Sequence, residues 1–406
     1  MSARTTTRCD VAIAGGGMVG LSLAAALAKL PLEVVVIEPV TAEADEQPSF
    51  DSRTTALSTG SRRVLEGIDA WTAIAGQATP IRRIHVSERG VFGTATLTAA
   101  EQGVASLGYT IENRLLGKAL REGVAAFPRL RIRHARVVEL QPGGDAVRLS
   151  TDAGEIHEAR LVVAADGAQS AVRAALGIEA GVSDYGQHAI VAHVDTARFH
   201  DYTAYERFTP DGPLAVLPIV EGRSAVVWTL APESARRVLA LDDRAFLVGL
   251  QEAFGLRLGR FTRVGRRQSY PLALTRAERL TAPRAAILGN AAQALHPVAG
   301  QGFNLALRDV AMLAELIAGA EGGDPGAAPL LERYAAWRAP DRDAVIRFTD
   351  SLVRGFGLPL APIRHVRGGA LLAFDLLRPV KHEFARRTMG LAGRQPRLVR
   401  GLPLQP

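Results

Sequence analysis

The chain has 406 residues, of which 48% are hydrophobic and 40 are glycine. This composition excludes an intrinsically disordered protein, and the length favours two domains or one large interrupted domain over a single core. The net charge is +7, but the basic residues are not interleaved with aromatic side chains, so nucleic acid is not an expected partner.

Residues 10–39, DVAIAGGGMVGLSLAAALAKLPLEVVVIEP, have the pattern of a strand, a glycine turn, a helix and a second strand. The turn places Gly15, Gly17 and Gly20 in the G-x-G-x-x-G pattern, and Glu38 follows eighteen residues after Gly20. Such glycines let a pyrophosphate approach a helix N-terminus, and the acidic residue accepts a hydrogen bond from a ribose hydroxyl. The segment therefore predicts a dinucleotide site.

The pattern changes twice further along the chain. Strands with glycine turns lead to an apolar run at 161–165, which ends in Asp166-Gly167. From about residue 181 to 270 the strands are amphipathic, which is typical of an antiparallel sheet with one wet face. The parallel-type pattern resumes at RAAILGN, and a helix is expected from about Gly302 to Ala318.

We therefore predict an α/β fold with a discontinuous Rossmann-like nucleotide-binding domain, an inserted antiparallel-sheet domain that holds the substrate, and a helical C-terminal region. The predicted ranges are 1–75, 106–180 and 271–340 for the first, 76–105 and 181–270 for the second, and 341–406 for the third.

The sequence also favours a cytoplasmic location. Its most apolar late segment, 352–377, is interrupted by Arg354, Arg364 and Arg367, so no transmembrane helix is predicted. The N-terminus lacks a signal peptide pattern, and a single cysteine, Cys9, excludes an internal disulfide. Basic residues concentrate at 378–400, which we interpret as a solvated surface or as a peripheral contact with the inner face of an anionic membrane.

Four separated motifs occur in order. They are the glycine pattern with Glu38, FDSRTTALS at 50–58, ADGAQSAVR at 165–173, and LGNAAQALHPVAGQGFNLALRD at 288–309. In order and spacing they resemble the single-component flavoprotein aromatic hydroxylases with the para-hydroxybenzoate hydroxylase fold. Within that family the chain is most similar to the ubiquinone-biosynthesis hydroxylases that act on 2-polyprenyl-6-methoxyphenols. Shorter matches, such as YERFTPDGPLAVLPI at 205–219, extend the resemblance over nearly the whole chain.

The resemblance implies an FAD cofactor and assigns side chains to it. Glu38 would bind the adenosine ribose, Arg53 the flavin side, and Arg114 the pyrophosphate or the ribityl chain. A guanidinium can bind a pyrophosphate with two hydrogen bonds, which suits both arginines to this role. Asp166 would contact both FAD and the nicotinamide nucleotide that reduces it.

The last motif is implied to lie against the flavin. Its Gly289 and Asn290 would meet the ribityl chain, and the turn from Pro297 to Gly302 would pass beneath the isoalloxazine before a helix N-terminus. Asn290 stands where the wider superfamily has Asp, a change that the polyprenyl-methoxyphenol branch shares. His296 precedes a proline and is expected to pack or to form local bonds. The complete implied cofactor set is Gly15, Gly17, Met18, Gly20, Glu38, Arg53, Arg114, Val138, Asp166, Gly289, Asn290, Pro297, Gly300, Gly302, Phe303 and Asn304.

The implied activity is an aromatic ring hydroxylation that uses NADPH or NADH and dioxygen. A 2-polyprenyl-6-methoxyphenol would become the 1,4-benzoquinol through a flavin C4a-hydroperoxide, so no catalytic side chain and no metal are expected. Implied partners are the polyprenyl phenol and a multi-protein complex of ubiquinone biosynthesis. The alternatives are another ring position, another phenol, or a non-catalytic flavoprotein scaffold. Tunnel candidates for the isoprenoid tail are Tyr205, Phe208, Leu217 and Trp228, although such residues more often form core.

Overall fold

The computed structural model describes residues 6–41, 53–357 and 361–404. This part of the chain contains the strands β1 Thr6–Ala14, β2 Val34–Ile37, β3 Thr54–Ser58, β4 Thr79–Ile81, β5 Arg83–Glu88, β6 Thr94–Thr98, β7 Gly108–Glu112, β8 Leu130–Arg133, β9 Val137–Pro142, β10 Val147–Thr151, β11 Ile156–Ala164, β12 Ala180–Thr196, β13 Thr203–Thr209, β14 Gly212–Pro218, β15 Ser224–Leu230, β16 Phe261–Val264, β17 Gln268–Ala277, β18 Thr281–Ala282, β19 Ala285–Ile287 and β20 Gln293–Ala294. Its helices are α1 Met18–Leu27, α2 Thr59–Gly67, α3 Trp71–Ile74, α4 Asn113–Ala125, α5 Ala171–Ala175, α6 Pro232–Leu239, α7 Asp243–Phe254, α8 Gln301–Ala318, α9 Ala328–Gly357, α10 Ala361–Leu376 and α11 Arg378–Thr388.

The first sheet has eight strands. The strand, helix and strand predicted at residues 10–39 are β1, α1 and β2, and both strands belong to this sheet. Its order is β18-β19-β11-β1-β2-β8, with β10 attached to β11 and β9 to β10. Strand β1 pairs in parallel with β2 and β11, and β11 pairs in parallel with β19. The apolar ends of these strands are buried, as expected of parallel strands covered by helices on both faces. Strand β8 also pairs in parallel with β2, so the carboxyl ends of five strands meet at one edge.

The second sheet has nine strands in the order β20-β17-β12-β15-β14-β13-β5-β6, with β16 attached to β12. Neighbouring strands pair antiparallel except β5 and β13, which are parallel. One face packs on α6 and α7 around the buried Trp228 and Phe246. The other face turns toward β3, since His193 Nε2 of β12 lies 3.2 Å from Thr54 Oγ1. The predicted α/β fold with an added antiparallel sheet is confirmed.

A small third sheet, β3-β7-β4, contacts the second sheet, since Thr110 Oγ1 of β7 donates to the Pro218 carbonyl of β14. Helices α8 and α9 pack together, and α10 and α11 return across β5 and β6. The boundary predicted at residue 340 falls inside α9, which continues through Pro340. Arg338 pairs with Asp309 of α8, and Arg342 donates to the Ala277 carbonyl at the end of β17, so both sides of the proline are held to elements that precede the predicted boundary. No helix in the described ranges is long and apolar enough to cross a membrane.

Candidate active site

The turn between β1 and α1 packs directly against the end of β11. Gly15 has φ of +104°, and a Cβ there would lie 2.4 Å from the Ala165 carbonyl oxygen. A Cβ on Gly20 would lie 1.9 Å from the Gly15 oxygen, so neither position tolerates a side chain. Gly17 caps α1 without a side chain, and the first turn carries no acidic residue. This N-terminus is therefore suited to an anion such as a pyrophosphate.

Glu38 lies at the end of β2, beside this turn. Its buried carboxylate accepts hydrogen bonds from the backbone N–H of Gly16, at 2.5 Å, and of Val40, at 2.9 Å. Two bonds leave other lone pairs of a carboxylate available. The side chain is therefore held rigidly at the place where a ribose hydroxyl would follow a pyrophosphate on the α1 N-terminus.

Asp166 and Gly289 come together at the same sheet edge. The Asp166 carboxylate accepts from Ser170 Oγ and from Val172 N, 3.1 Å away, and so anchors the start of α5. Arg173 then donates to the carbonyl oxygens of Ala168 and Ala291, at 3.0 and 2.9 Å, which joins this turn to the Gly289 turn. A Cβ on Gly289 would lie 3.0 Å from the side chain of Val19 on α1.

The Gly289 turn is held by α8 on one side, and its Asn290 side chain is exposed to solvent. Asp309 of α8 accepts from Gly289 N at 3.3 Å and from Gln293 Nε2 at 2.8 Å. Asn290 is exposed, and its side chain forms no hydrogen bond with the residues that the structure describes. Gln293 therefore has a positioning role, whereas the Asn290 amide is available to a ligand.

The turn from Pro297 to Gly302 presents small residues ahead of α8. Ala299 has φ of +60° and Gly300, the N-cap of α8, has φ of +58°. Asn304 donates to the carbonyl oxygens of Gly300 and Ala56, at 2.7 and 2.8 Å, and accepts from Ser58 N at 2.7 Å. The Asn304 side chain thus joins α8 to β3, while the Gly300 N-cap provides no side-chain hydrogen bond to the α8 N-terminus.

The two predicted arginines lie near each other, beside β3 and β7. The Arg53 guanidinium stacks 4.6 Å from the centre of the Tyr270 ring, and its carbonyl accepts from Asn113 N. Arg114, on α4, pairs with Glu112 at 2.6 Å and keeps more than half of its side chain exposed. Residues 50–52 of the second motif lie outside the described residues.

Three other predicted residues are less closely tied to this edge. Met18 and Phe303 are partly buried against the main core, at the first turns of α1 and α8. Val138 is 59% exposed on β9, a strand at the side of the first sheet that packs against α5.

His296 lies just before the Pro297 turn and is almost fully buried. Its Nδ1 accepts from Val298 N at 3.1 Å, and its ring meets that of Tyr185 edge to face. Burial lowers the pKa of His296 to about 4, so the ring is neutral at physiological pH. The local bonding predicted for this residue is what the structure contains.

An apolar cavity of about 280 Å³ begins at the same turn. Its walls include Val298, Ala299, Gln301 and Asn304 from the turn and α8, Ile84, Val86, Glu206 and Phe208 from the second sheet, and Phe348, Leu352, Phe356, Leu371, Phe374 and Phe384 from α9, α10 and α11. Phe208 stacks on Phe356 with ring centres 3.6 Å apart. The cavity thus connects the turn ahead of α8 with the C-terminal helices.

Of the four tunnel candidates, only Phe208 is among the lining residues described. Trp228 is buried on the opposite face of the sheet, and Tyr205 packs against the same core. Glu206 also lines the cavity and was not predicted from the sequence, although an acidic residue two positions before a cavity-facing phenylalanine on a strand is a detectable signal. The role of the helices that complete the cavity was not predicted either, and no local pattern reveals it.

The geometry fits FAD. Gly15 and Gly20 leave no room for side chains, and the glycine N-caps of α1 and α8 provide no side-chain hydrogen bond. Glu38 and Asn290 add polar groups at this edge of the sheet. A bound flavin would receive positive potential from the α8 N-terminus, which stabilises negative charge on the reduced ring.

Comparison with known proteins agrees with this geometry. Residues 8–349 match the family described as the FAD binding domain. The ubiquinone hydroxylase UbiL of Rhodospirillum rubrum is 40% identical over 97% of this chain and 93% of its own length. The 3-demethoxyubiquinol 3-hydroxylase of Escherichia coli is 33% identical over 95% of this chain and all of its own. The crystal structure of p-nitrophenol 4-monooxygenase PnpA from Pseudomonas putida has the same fold, with a TM-score of 0.79, 22% identity, and coverage of 96% and 99% of the two chains.

Proposed function

Because the chain belongs to the FAD-dependent, NAD(P)H-linked monooxygenase family that includes the ubiquinone hydroxylases, we propose that it hydroxylates the ring of a polyprenyl phenol. Bound FAD supplies the electron transfer and the activation of dioxygen. The observation that carries the substrate class is the apolar cavity, which starts at Val298 and Ala299 and extends to Phe374 and Phe384. A phenol ring would lie at the turn, with its isoprenoid tail toward α10 and α11.

The residues of the cavity would orient the ring and exclude water. Phe208, packed on Phe356, and Val298 form a continuous apolar cluster at the turn, which supports one orientation of a flat ring. An apolar lining around the reacting ring also limits loss of the activated oxygen to water.

We further propose that the substrate is a 2-polyprenyl-6-methoxyphenol and that the product is the 1,4-benzoquinol. The Asn290 change supports this branch. The name of the Escherichia coli relative favours a second candidate, hydroxylation at another ring position of a demethoxyubiquinol-type substrate. Complementation separates the two candidates: the gene is expressed in strains that each lack one ring-hydroxylation step, and the accumulated intermediate is identified. Only the strain that accumulates 2-polyprenyl-6-methoxyphenol should be rescued.

Substrate-dependent NAD(P)H oxidation coupled to a hydroxylated product tests catalysis itself. Rescue of a strain without any such turnover would instead support a flavoprotein scaffold. Membership of a ubiquinone-biosynthesis complex stays a prediction, and co-purification with other proteins of the pathway tests it.

We also propose a cytoplasmic enzyme with a peripheral membrane contact on α10 and α11. Their outer surfaces expose Leu376, Leu377 and Val380 by more than half, close to the basic side chain of Arg378. Apolar side chains beside basic ones suit the surface of an anionic bilayer, and the same helices line the cavity.

Flotation with anionic liposomes at low salt tests this contact. The wild type should float, and the double variant Leu376→Asp, Leu377→Asp should stay in the bottom fraction. The control is Val182→Asp, which changes an equally exposed apolar residue on β12. Equal flotation of all three proteins, or none, would contradict the proposal.

A further inference from the structure

Glu206 is the only ionisable side chain among the described residues that line the cavity. It lies on β13 and faces the cavity with Phe208, while the neighbouring Arg207 faces away and donates to the Ala253 carbonyl on α7. Across the sheet, its partners are Val86 of β5 and Ala215 of β14. Its surroundings on the sheet are therefore apolar.

The Glu206 carboxyl has no hydrogen bond or ion pair with the residues that the structure describes. The charged groups nearest along the same face, Glu88 of β5 and Arg367 of α10, bind each other at 2.6 and 2.9 Å. Helices α9 and α11 and the turn contribute only apolar or neutral polar side chains to the cavity walls, such as Phe348, Thr388 and Gln301. Nothing in the described protein compensates this acid.

Glu206 is half-buried and lines the cavity. A polar group that the fold encloses and that has no protein partner requires an explanation, and in a cavity the natural explanation is a ligand. Keeping an acid in an apolar cavity disfavours its charged form, and burial raises the pKa of Glu206 to about 7. A group that titrates near neutral pH can take up and return a proton under physiological conditions.

We propose that Glu206 binds the phenolic hydroxyl of the substrate and accepts its proton. The inference rests on the proposed function and makes Glu206 a catalytic residue of the proposed hydroxylation. The phenolic O–H bond breaks, its electron pair stays on the oxygen and is shared with the ring, and a new O–H bond forms on Glu206. The resulting electron-rich ring is the better acceptor of an electrophilic oxygen atom.

The proton balance closes within one turnover. After oxygen transfer, the hydroxylated ring carbon loses its hydrogen as a proton to solvent, which restores the aromatic ring. The phenolic oxygen then regains its proton from Glu206, which returns as a carboxylate. Glu206 therefore needs no oxidant or reductant of its own.

The test uses the FAD-loaded enzyme and three variants: Glu206→Gln, which keeps the shape, Glu206→Asp, which keeps the acid, and the control Glu139→Gln on the exposed strand β9. The steady-state rates with a prenylated 2-methoxyphenol are measured across pH. In Glu206→Gln, kcat should fall by about 10²-fold or more, which is the typical contribution of a general base, while FAD content is unchanged. The limb of kcat/KM that rises near neutral pH should disappear in this variant and persist in Glu206→Asp and in the control.

A second measurement reads proton transfer without turnover. Binding of the same phenol is followed by phenolate absorbance at neutral pH. The wild type should ionise the bound phenol and Glu206→Gln should not. Equal ionisation in both proteins, or a wild-type rate and pH profile in Glu206→Gln, overturns the role of Glu206.

If the wild type ionises the phenol but never hydroxylates it, the proposed function fails while the role of Glu206 in binding stands. If Glu206→Gln loses its FAD, Glu206→Leu replaces it in both measurements.

Discussion

Asp309 of α8 and Arg338 of α9 form an ion pair that is shielded from solvent, with both side chains almost fully buried. The second carboxylate oxygen of Asp309 accepts from the Gly289 backbone and from Gln293. Arg338 also pairs with Asp341 at 2.7 Å. The pair thus fastens the turn that carries Asn290 to the two longest helices of the described chain.

Replacing Arg338 should destabilise the folded protein and loosen the Gly289 turn. In Arg338→Met, Asp309 keeps its charge in a buried place without its main partner, which typically costs about 3–5 kcal/mol. We expect a lower urea midpoint and faster loss of FAD, measured by unfolding and by flavin release. Arg354→Met, which breaks an exposed pair with Asp350, is the control and should change the midpoint little. An unchanged midpoint in Arg338→Met would show that the pair is not needed for stability.

Gly15→Ala should abolish FAD binding. The added Cβ would lie 2.4 Å from the Ala165 carbonyl oxygen, on a backbone with φ of +104°, so the turn must move. Flavin absorbance of the purified variant measures the loss. Gly144→Ala, where a Cβ meets nothing within 4 Å, is the matched control and should retain FAD. Normal flavin content in purified Gly15→Ala would contradict this prediction.

Asn290→Asp should retain FAD. The side chain is exposed and has no partner among the described residues, and Asp offers an acceptor oxygen of the same size to a ribityl hydroxyl. Asn290→Leu removes the acceptor and should weaken FAD binding. Dissociation constants from flavin fluorescence compare the three proteins. Loss of FAD from the Asp variant alone would mean that the charge at position 290, and not its hydrogen bonding, determines FAD affinity.

Leu352→Trp should narrow the cavity. The larger ring occupies space between α9 and the second sheet, so long-tailed phenols should bind less well while FAD, held elsewhere, stays bound. A steric cost of about 1–3 kcal/mol, typical of overpacking, corresponds to a rise in KM of roughly 5- to 150-fold. Leu256→Trp, at an exposed position on the second domain, is the control. An equal KM in all three proteins would place the substrate outside this cavity.

The folded protein should lose stability as Glu206 ionises. Because burial raises the pKa of Glu206 from 4.5 to about 7, its protonated form is favoured in the folded state. The contribution of protonated Glu206 to the free energy of unfolding is fully present below pH 4.5 and is lost as pH rises through about 7. Glu206→Gln should therefore raise the melting temperature at pH 8 but not at pH 4.5, as scanning fluorimetry would show. A difference that does not depend on pH would contradict the raised pKa.

The sequence predicts those parts that depend on short-range patterns. The glycine turn, Glu38 and the strands on either side lie within one βαβ unit, so spacing alone indicates their arrangement. The helix expected from Gly302 begins one residue earlier, at Gln301, because Gly300 supplies the left-handed cap. Three of the amphipathic strands expected between about 181 and 270 are β12, β14 and β15, since their alternation matches a sheet with two different faces.

By itself, then, the sequence determined the fold class, which follows from local periodicity. It also indicated the family and the FAD cofactor, through the resemblance of four motifs whose own residues are close in the chain. Only the tertiary structure decided what surrounds the substrate. The cavity joins the Val298 turn, β13 and the C-terminal helices, which are far apart in the chain: Phe208 precedes Val298 by 90 residues, and Phe348 follows it by 50. Glu206 becomes a candidate base only because those distant elements enclose it without a partner, and enclosure is a property of the assembled fold.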